Sequence, residues 1–356
     1  FPRGVRSLYN STDWLWAEAE APIRRVELDI EDDDWAYLME DPTREEYRPA
    51  TLKLYEAQGG GDVQPQASDP RGGGAGGQTQ SDILLGVWPM VGFRFKGSVG
   101  SLGRCRGRGG GNCNKMSMKV RVNKYDKEQR FFGLKGFMLH ASMGDNSQLR
   151  ERLGYSIFRE MGLPTCRQNP IDVRVNTPSD SVCDPSCRPT NDGPQGLHLL
   201  TEQPDGRFTE AYFRGGDGNL FKQAWPGMQG PAARSQYESL LVTNEEEADV
   251  ERMMNFTAAI DAASNDWELV EVMEEYTHES MPKYWAVDRA LGLWDGPVHF
   301  RYFSGPYNDG TSSTGFFNHN YFMYESSDRR EDKFRLVACV RSSTDICLLG
   351  LDLIID

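Results

Sequence analysis

The sequence predicts an α+β protein in which a strand-rich first part is followed by a mostly helical second part. Short stretches of alternating or continuous apolar residues recur up to residue 203, as expected of strands. One helical period lies among them, and from residue 238 to 293 the apolar spacing is that of helices. Strands grouped in one part of a chain and helices in another are typical of the α+β class.

The composition is that of a folded protein and argues against two function classes. The 356 residues include 39 basic and 53 acidic side chains, which gives a net charge of −14. This charge argues against a general nucleic-acid binder, which needs positive charge to bind phosphates. The sequence contains no run of 18 apolar residues, so it predicts no transmembrane helix. Because the chain begins at Phe1, we expect a fragment or processed chain whose targeting signal lies outside it.

The first strand is predicted where Val26, Leu28 and Ile30 alternate with acidic residues. The acidic residues that follow are typical helix caps and predict a short helix over 32–38. Gly-rich stretches at 57–82 and 100–114 are typical of loop insertions. The GGGAGG run in the first of them does not have the following Lys-Ser/Thr of a phosphate-binding loop. Further strands are predicted over 50–55, 83–95, 116–122 and 137–140.

A helix is predicted next, because Leu149, Leu153, Ile157 and Met161 recur every four residues before Gly162 and Pro164. Two more strands, 171–175 and 197–202, flank a Cys-, Pro- and Asp-rich insertion at 176–195. The helical second part follows, with apolar positions spaced as in Val250, Met253, Phe256 and Ile260. Two parts of this kind predict a cleft between them for a ligand.

Positive charge is concentrated in one stretch of this acidic chain. Between Arg104 and Lys135 there are ten Lys or Arg residues against two acids. One interpretation is a solvated basic face on the surface. The other is a pocket for a polyanion such as nucleotide phosphates.

The cysteines favour an oxidising compartment. Four of the seven form two close pairs, Cys105 with Cys113 and Cys183 with Cys187, in stretches that are predicted to be loops. Local disulfides explain this pattern better than zinc, which would need CxxC spacing and matching histidines. Two N-x-S/T sequons agree, at Asn10 and Asn255, although Asn255 lies in a helical pattern. These features predict a secreted, secretory-pathway or cell-surface protein.

Several ordered blocks resemble the CotH (spore coat protein H-like) kinase family. They are FFGLKGFMLHASMGDNSQLRERLGYSIFREMGLPTCRQNPIDVRVN, then GLHLLTEQPDGRFTEAYFRGGDGNLFKQAWP, then LGLWDGPVHF followed by NHNYFMYES. YRPATLKL and VGFRFKGSVGS resemble its entry strands, with Lys96-Gly97-Ser98 where the family has an RGNS turn. The resemblance implies an atypical protein-kinase-like fold over 23–336. It would have a β-rich N-lobe at about 23–203 and a mostly helical C-lobe at about 204–336, after an N-terminal extension at 1–22.

The resemblance also implies binding of ATP with Mg²⁺ or Mn²⁺ and phosphorylation of serine on a secreted or surface protein. Phosphoryl transfer needs positive charge at the phosphates, a carboxylate for the hydroxyl proton, and oxygen ligands for the metal. Asp295 matches the family's catalytic position and Asn320 could ligate the metal; Asn318 and His319 are weaker matches. The expected cofactor-binding residues are Lys119 (preferred), Lys115 and Arg121 at the phosphates, Glu151 as a helix carboxylate or a solvent-facing charge, Glu202 at the adenine, and Lys222.

One departure from the family concerns catalysis directly. After Phe334-Arg335-Leu336-Val337 the family continues with P-W-D-x-D, whose first Asp is the principal metal ligand, but here Ala338-Cys339-Val340-Arg341 follows. We therefore expect an aberrant tail at 337–356 and an apparently truncated C-lobe, as from a faulty gene model. The alternative function is a catalytically impaired surface or coat binding protein; a polysaccharide-binding module is a weaker third hypothesis.

Overall fold

The computed structural model describes residue 16 and the ranges 23–56, 82–97, 115–142, 147–178, 196–227, 233–247, 249–293, 301–306, 312–317, 320–328 and 333–338, together with residues 145, 296, 297 and 330. Two compact units are present. The barrel unit comprises the described residues within Trp14–Ala141 and Asn169–Thr201, and the helical unit comprises those within Ser142–Gln168 and Glu202–Asp356. In the described part of the chain no helix is both long and apolar enough to cross a membrane.

The barrel unit is built on seven strands that close in the order β1-β2-β3-β4-β5-β7-β6. Neighbours β1 to β5 pair antiparallel, and the parallel pairing of β6 with β1 closes the barrel. Because the barrel is closed, neither β1 nor β6 is left as an exposed edge strand. The strands are β1 (Arg24–Asp29), β2 (Arg48–Glu56), β3 (Ile83–Phe95), β4 (Met118–Arg121), β5 (Gly136–His140), β6 (Gln168–Asn176) and β7 (Gly196–Glu202).

Alternation along the strands produces the barrel core. Val26 and Leu28 of β1 are fully buried and pair with the equally buried Leu54 and Leu52 of β2. The short helix α1 (Asp32–Glu40) adds Trp35, whose ring stacks on Phe93 at 6.5 Å between centroids. A side chain of this size stabilises the fold by roughly 1.5–3 kcal/mol when it is buried.

The helical unit holds six helices and five strands within its described residues. Its main core joins the helices to a sheet in the order β12-β11-β8, with Phe158 and Tyr284 in ring contact at 4.9 Å. The helices are α2 (Arg150–Glu160), α3 (Gly206–Tyr212), α4 (Ala233–Ser239), α5 (Glu251–Ala262), α6 (Asp266–Tyr276) and α7 (Ser280–Ala290). The strands are β8 (Asn219–Lys222), β9 (Arg301–Pro306), β10 (Ser312–Phe317), β11 (Tyr321–Glu325) and β12 (Arg335–Ala338).

The strand-rich N-terminal part is confirmed, but its expected arrangement is corrected in two respects. The strands close into a barrel instead of forming a clear kinase-like lobe, because β6 returns beside β1. The second part is also less purely helical than predicted, since β8 to β12 lie in it. The insertions and the tail lie largely outside the described residues, as do Asn10 and six of the seven cysteines; the seventh, Cys166, is buried.

Candidate functional site

In the barrel unit, the predicted phosphate-binding residues lie on and next to β4. Met118 and Val120 face the core, so the intervening Lys119 and the exposed Arg121 share the opposite face of the strand. Lys119 is directly opposite Arg94 of β3 in the ladder. Arg94 was not predicted as a site residue. Arg94 also lies 3.9 Å from the Glu45 carboxylate. Lysine and arginine on neighbouring strands are side chains of the kind that bind phosphate.

Lys115 lies just before β4 and is half-buried. Burial lowers the pKa of this amine to about 8. The environment therefore disfavours its positive charge, which a bound anion would stabilise.

Glu151 occupies the buried face of α2 and is fully shielded from solvent. Its Oε1 accepts a hydrogen bond of 2.6 Å from Nε2 of Gln168 at the start of β6. The interpretation of Glu151 as a solvent-facing charge was wrong. Tyr155 and Phe158 bring this side of the helix into the core, whereas the regularly spaced Leu149, Leu153, Ile157 and Met161 are exposed.

Glu202 forms a buried ion pair at the end of β7. Its carboxylate accepts two hydrogen bonds from the Arg167 guanidinium, 3.1 Å from Nε and 2.9 Å from Nη2, and a third from the Arg167 backbone N–H at 3.2 Å. Only 1% of Glu202 is exposed. Burial raises the pKa of the nearby Tyr212 hydroxyl, and the Glu202 charge adds to this shift. The side chain of Glu202 therefore has a structural partner, Arg167, where an adenine contact was predicted.

Asn320 immediately precedes β11 and has a left-handed backbone, with φ at 62°, which asparagine tolerates. Its Nδ2 is buried and has no hydrogen-bond partner within the described residues. The next residue, Tyr321, pairs with Ala338 at the end of β12. Asn320 therefore lies at the end of the sheet where β12 ends, which is where the resemblance implies the metal-binding aspartate.

A buried carboxylate lies against the turn that ends at Gly296, the residue after Asp295 in the sequence. Asp288 of α7 is fully buried, and a Cβ added to Gly296 would overlap its Oδ1 and lie 2.9 Å from its Cγ. Only glycine fits at position 296 without movement of Asp288 or the turn. The backbone N–H of Gly296 donates to the Leu293 carbonyl at 3.2 Å, which helps to fix the end of this turn.

Asp295 itself lies outside the described residues, as do Asn318 and His319. Lys222 is exposed at the end of β8, in register with Phe322 of β11. Its position assigns it no chemical role. Of the predicted residues in the helical unit, Asn320 therefore has the environment that best fits a ligand-binding side chain.

The described residues fit the two expected cofactors to different degrees. The basic face of β4 fits a triphosphate, because lysine and arginine bind phosphate oxygens well. For a divalent cation, the described residues contain no group of three or more His, Cys, Asp or Glu side chains that are placed to hold a metal ion together. The amide of Asn320 is the donor that they offer at the predicted position, so on the described residues the metal site is incomplete.

Comparisons with known proteins identify the family. The profile of the CotH kinase protein family matches residues 103–338. This range contains all eight of the predicted site residues. A comparison with curated proteins finds no match. Because the family match spans more than half of the sequence, this chain belongs to the CotH kinase family.

Proposed function

We propose that this protein is an ATP-dependent serine kinase that transfers the γ-phosphate to a secreted or surface protein. The family match over residues 103–338 carries this proposal. The basic face of β4 supports it, because Lys119 and Arg94 supply positive charge on neighbouring strands. The proposed fold is accordingly a variant of the protein-kinase architecture in which the β-rich part is a closed barrel.

In the proposed reaction, ATP bound with Mg²⁺ or Mn²⁺ supplies the phosphoryl group. Lys119, Arg121 and Lys115 would neutralise the phosphate oxygens, and Asp295 would accept the proton of the serine hydroxyl as the serine oxygen attacks the γ-phosphorus. The bond from the γ-phosphorus to the β,γ-bridging oxygen breaks, and ADP leaves. Asn320 would offer an amide oxygen to the metal. Glu151 would be the family's helix carboxylate, and Glu202 would shape the adenine site through its backbone while its carboxylate stays bound to Arg167.

The second candidate function is a surface or coat protein that binds a partner without turnover. It is favoured by one observation, that Ala338-Cys339-Val340-Arg341 occupies the place of the family's P-W-D-x-D. Loss of a group that stabilises developing charge commonly lowers rates by orders of magnitude. Partner binding by such a protein would not change on metal chelation or in Asp295→Asn.

Transfer of labelled phosphate from ATP to a serine-containing acceptor separates the two candidates. The chain is compared with a variant that restores the motif through Cys339→Trp, Val340→Asp and Ser342→Asp. A kinase with a weakened metal site gains activity at least tenfold in this variant, and chelator abolishes that activity. A binding protein transfers no phosphate in either form, and that result would exclude the kinase.

We also propose secretion or display at the cell surface, from the paired cysteines and the sequon at Asn10. Mass spectrometry of protein from the native host, before and after reduction, tests this. Disulfides joining Cys105 to Cys113 and Cys183 to Cys187 are the expected result, and six reduced thiols at the cysteines other than Cys166 would contradict it.

A further inference from the structure

Basic side chains converge at one end of the barrel, outside the set that the sequence predicted. Phe93 and Phe95 of β3 face the core, as do Phe137 and Leu139 of β5. By alternation, Arg94 and Lys96 lie on the opposite face of their strand from these core residues, and Met138 and His140 do so on theirs. Lys119 shares this face because it is opposite both Arg94 and Met138. Met138 and His140 are themselves only 5% and 3% exposed. Three neighbouring strands therefore carry one basic face.

Lys96 and His140 are in direct contact on this face. The Nζ of Lys96 lies 2.9 Å from Nε2 of His140, and His140 is only 3% exposed. A lysine ammonium can only donate, so Nε2 accepts and the neutral imidazole carries its proton on Nδ1. The contact holds the Lys96 amine in one position. The backbone of Lys96 is fixed as well, because its N–H donates a hydrogen bond of 2.8 Å to the Ser117 carbonyl.

Two more basic groups lie at the same end of the barrel. His198 of β7 is buried, with Nδ1 2.9 Å from the Gly196 carbonyl oxygen and Nε2 3.2 Å from that of Met116. Burial is the main cause that lowers the pKa of His198 to about 4; the charge of Lys115 acts in the same direction, and the hydrogen bonds to the two carbonyls act against it. Lys115, whose pKa is also lowered, precedes Met116 in the chain. Positive charge at this end of the barrel is therefore disfavoured, and an anion would relieve it.

We propose that Lys96, His140 and Lys115 form a phosphate-binding subsite at this end of the barrel. Lys96 is the principal contact, and His140 is the residue that orients it. The proposal rests on the proposed function, since the anion is the triphosphate of ATP. It adds Lys96 and His140 to the predicted residues.

Isothermal titration of the full chain with ATP, adenosine and inorganic tripolyphosphate tests the subsite. In Lys96→Met we expect the affinity for ATP and for tripolyphosphate to fall about tenfold to a hundredfold, the range for one charge-assisted hydrogen bond, while adenosine binding stays unchanged. Lys96→Arg retains most of the affinity because the positive charge is kept. His140→Phe, which keeps a ring but removes the acceptor of the Lys96 amine, gives an intermediate loss. Lys127→Met, at an exposed position, removes the same charge and is the matched control.

The outcomes separate the subsite from the proposed function. If Lys96→Met binds ATP and tripolyphosphate as tightly as the unchanged chain, the subsite is wrong and the kinase proposal stands. If the unchanged chain binds tripolyphosphate through Lys96 but does not bind ATP, the subsite stands and the kinase proposal fails. If the chain binds neither, both fail. Circular dichroism of each variant identifies any that is unfolded, in which case Lys96→Arg and Lys96→Gln decide in its place.

Discussion

Arg167 and Glu202 form a two-pronged ion pair in which a carboxylate only 1% exposed accepts three hydrogen bonds from one arginine. The pair joins the segment before β6 to the end of β7, because the backbone N–H of Glu202 also donates to the Arg167 carbonyl at 2.9 Å. Each of these buried charges needs the other, because a buried charge without its partner strongly destabilises a fold. The pair fixes the backbone at the position where an adenine contact was predicted.

Removal of one member of this pair should destabilise the fold severely. In Glu202→Ala the Arg167 guanidinium loses its carboxylate inside the protein, and we expect the free energy of unfolding to fall by about 3–5 kcal/mol. Urea unfolding followed by circular dichroism measures this. The matched control is Asp172→Ala, which removes a partly exposed partner of Arg174 at 3.4 Å and should cost about 0–1 kcal/mol. Equal effects of the two changes would contradict a dominant role for the buried pair.

Gly296→Ala should destabilise the turn beside Asp288. The new methyl group overlaps the Asp288 carboxylate, and overpacking of this kind costs about 1–3 kcal/mol. The double variant Gly296→Ala with Asp288→Ala should recover part of the loss relative to the sum of the single changes, because the overlapping carboxylate is gone. Gly206→Ala is the control, since a Cβ there meets nothing within 4 Å. Additive effects at 288 and 296 would show that the two residues do not interact.

The stability of the fold should depend on pH through His198. Its pKa of about 4 in the folded chain lies below the value near 6.5 of an unfolded chain, so the unfolded state binds more protons as the pH falls. Stability is therefore lost as the pH is lowered through this window, by about 2 kcal/mol between pH 7 and pH 5. The difference between unfolding free energies at the two pH values should be smaller by this amount in His198→Gln.

Local sequence patterns were sufficient to predict most elements. The alternation of Val26, Leu28 and Ile30 predicted β1, and the four-residue spacing from Leu149 predicted α2. The spacing indicated a helix but not its buried face. The core is reached by Tyr155 and Phe158, whose partner Tyr284 is more than a hundred residues away in the chain. The tertiary contacts of this unit decided which face of α2 is buried.

Pairings between distant residues could not be predicted from the sequence. The barrel closes because β1 pairs with β6, and no local pattern in either strand specifies that partner. The contacts of Glu202 with Arg167 and of Lys96 with His140 likewise join residues 35 and 44 positions apart. The basic stretch from Arg104 to Lys135 did indicate where positive charge gathers, but not that Arg94 and Lys96 of the preceding strand contribute to the same face.

The kinase proposal depends most on Asp295, and one comparison tests it directly. Transfer of labelled phosphate from ATP to serine is measured for the motif-restored chain, for the same chain with Asp295→Asn, and for the same chain with Asp345→Asn as a matched control in the tail. A base at Asp295 predicts a loss of at least a hundredfold in the first substitution and full activity in the second. Equal activity in Asp295→Asn would contradict the assignment of this residue as the base.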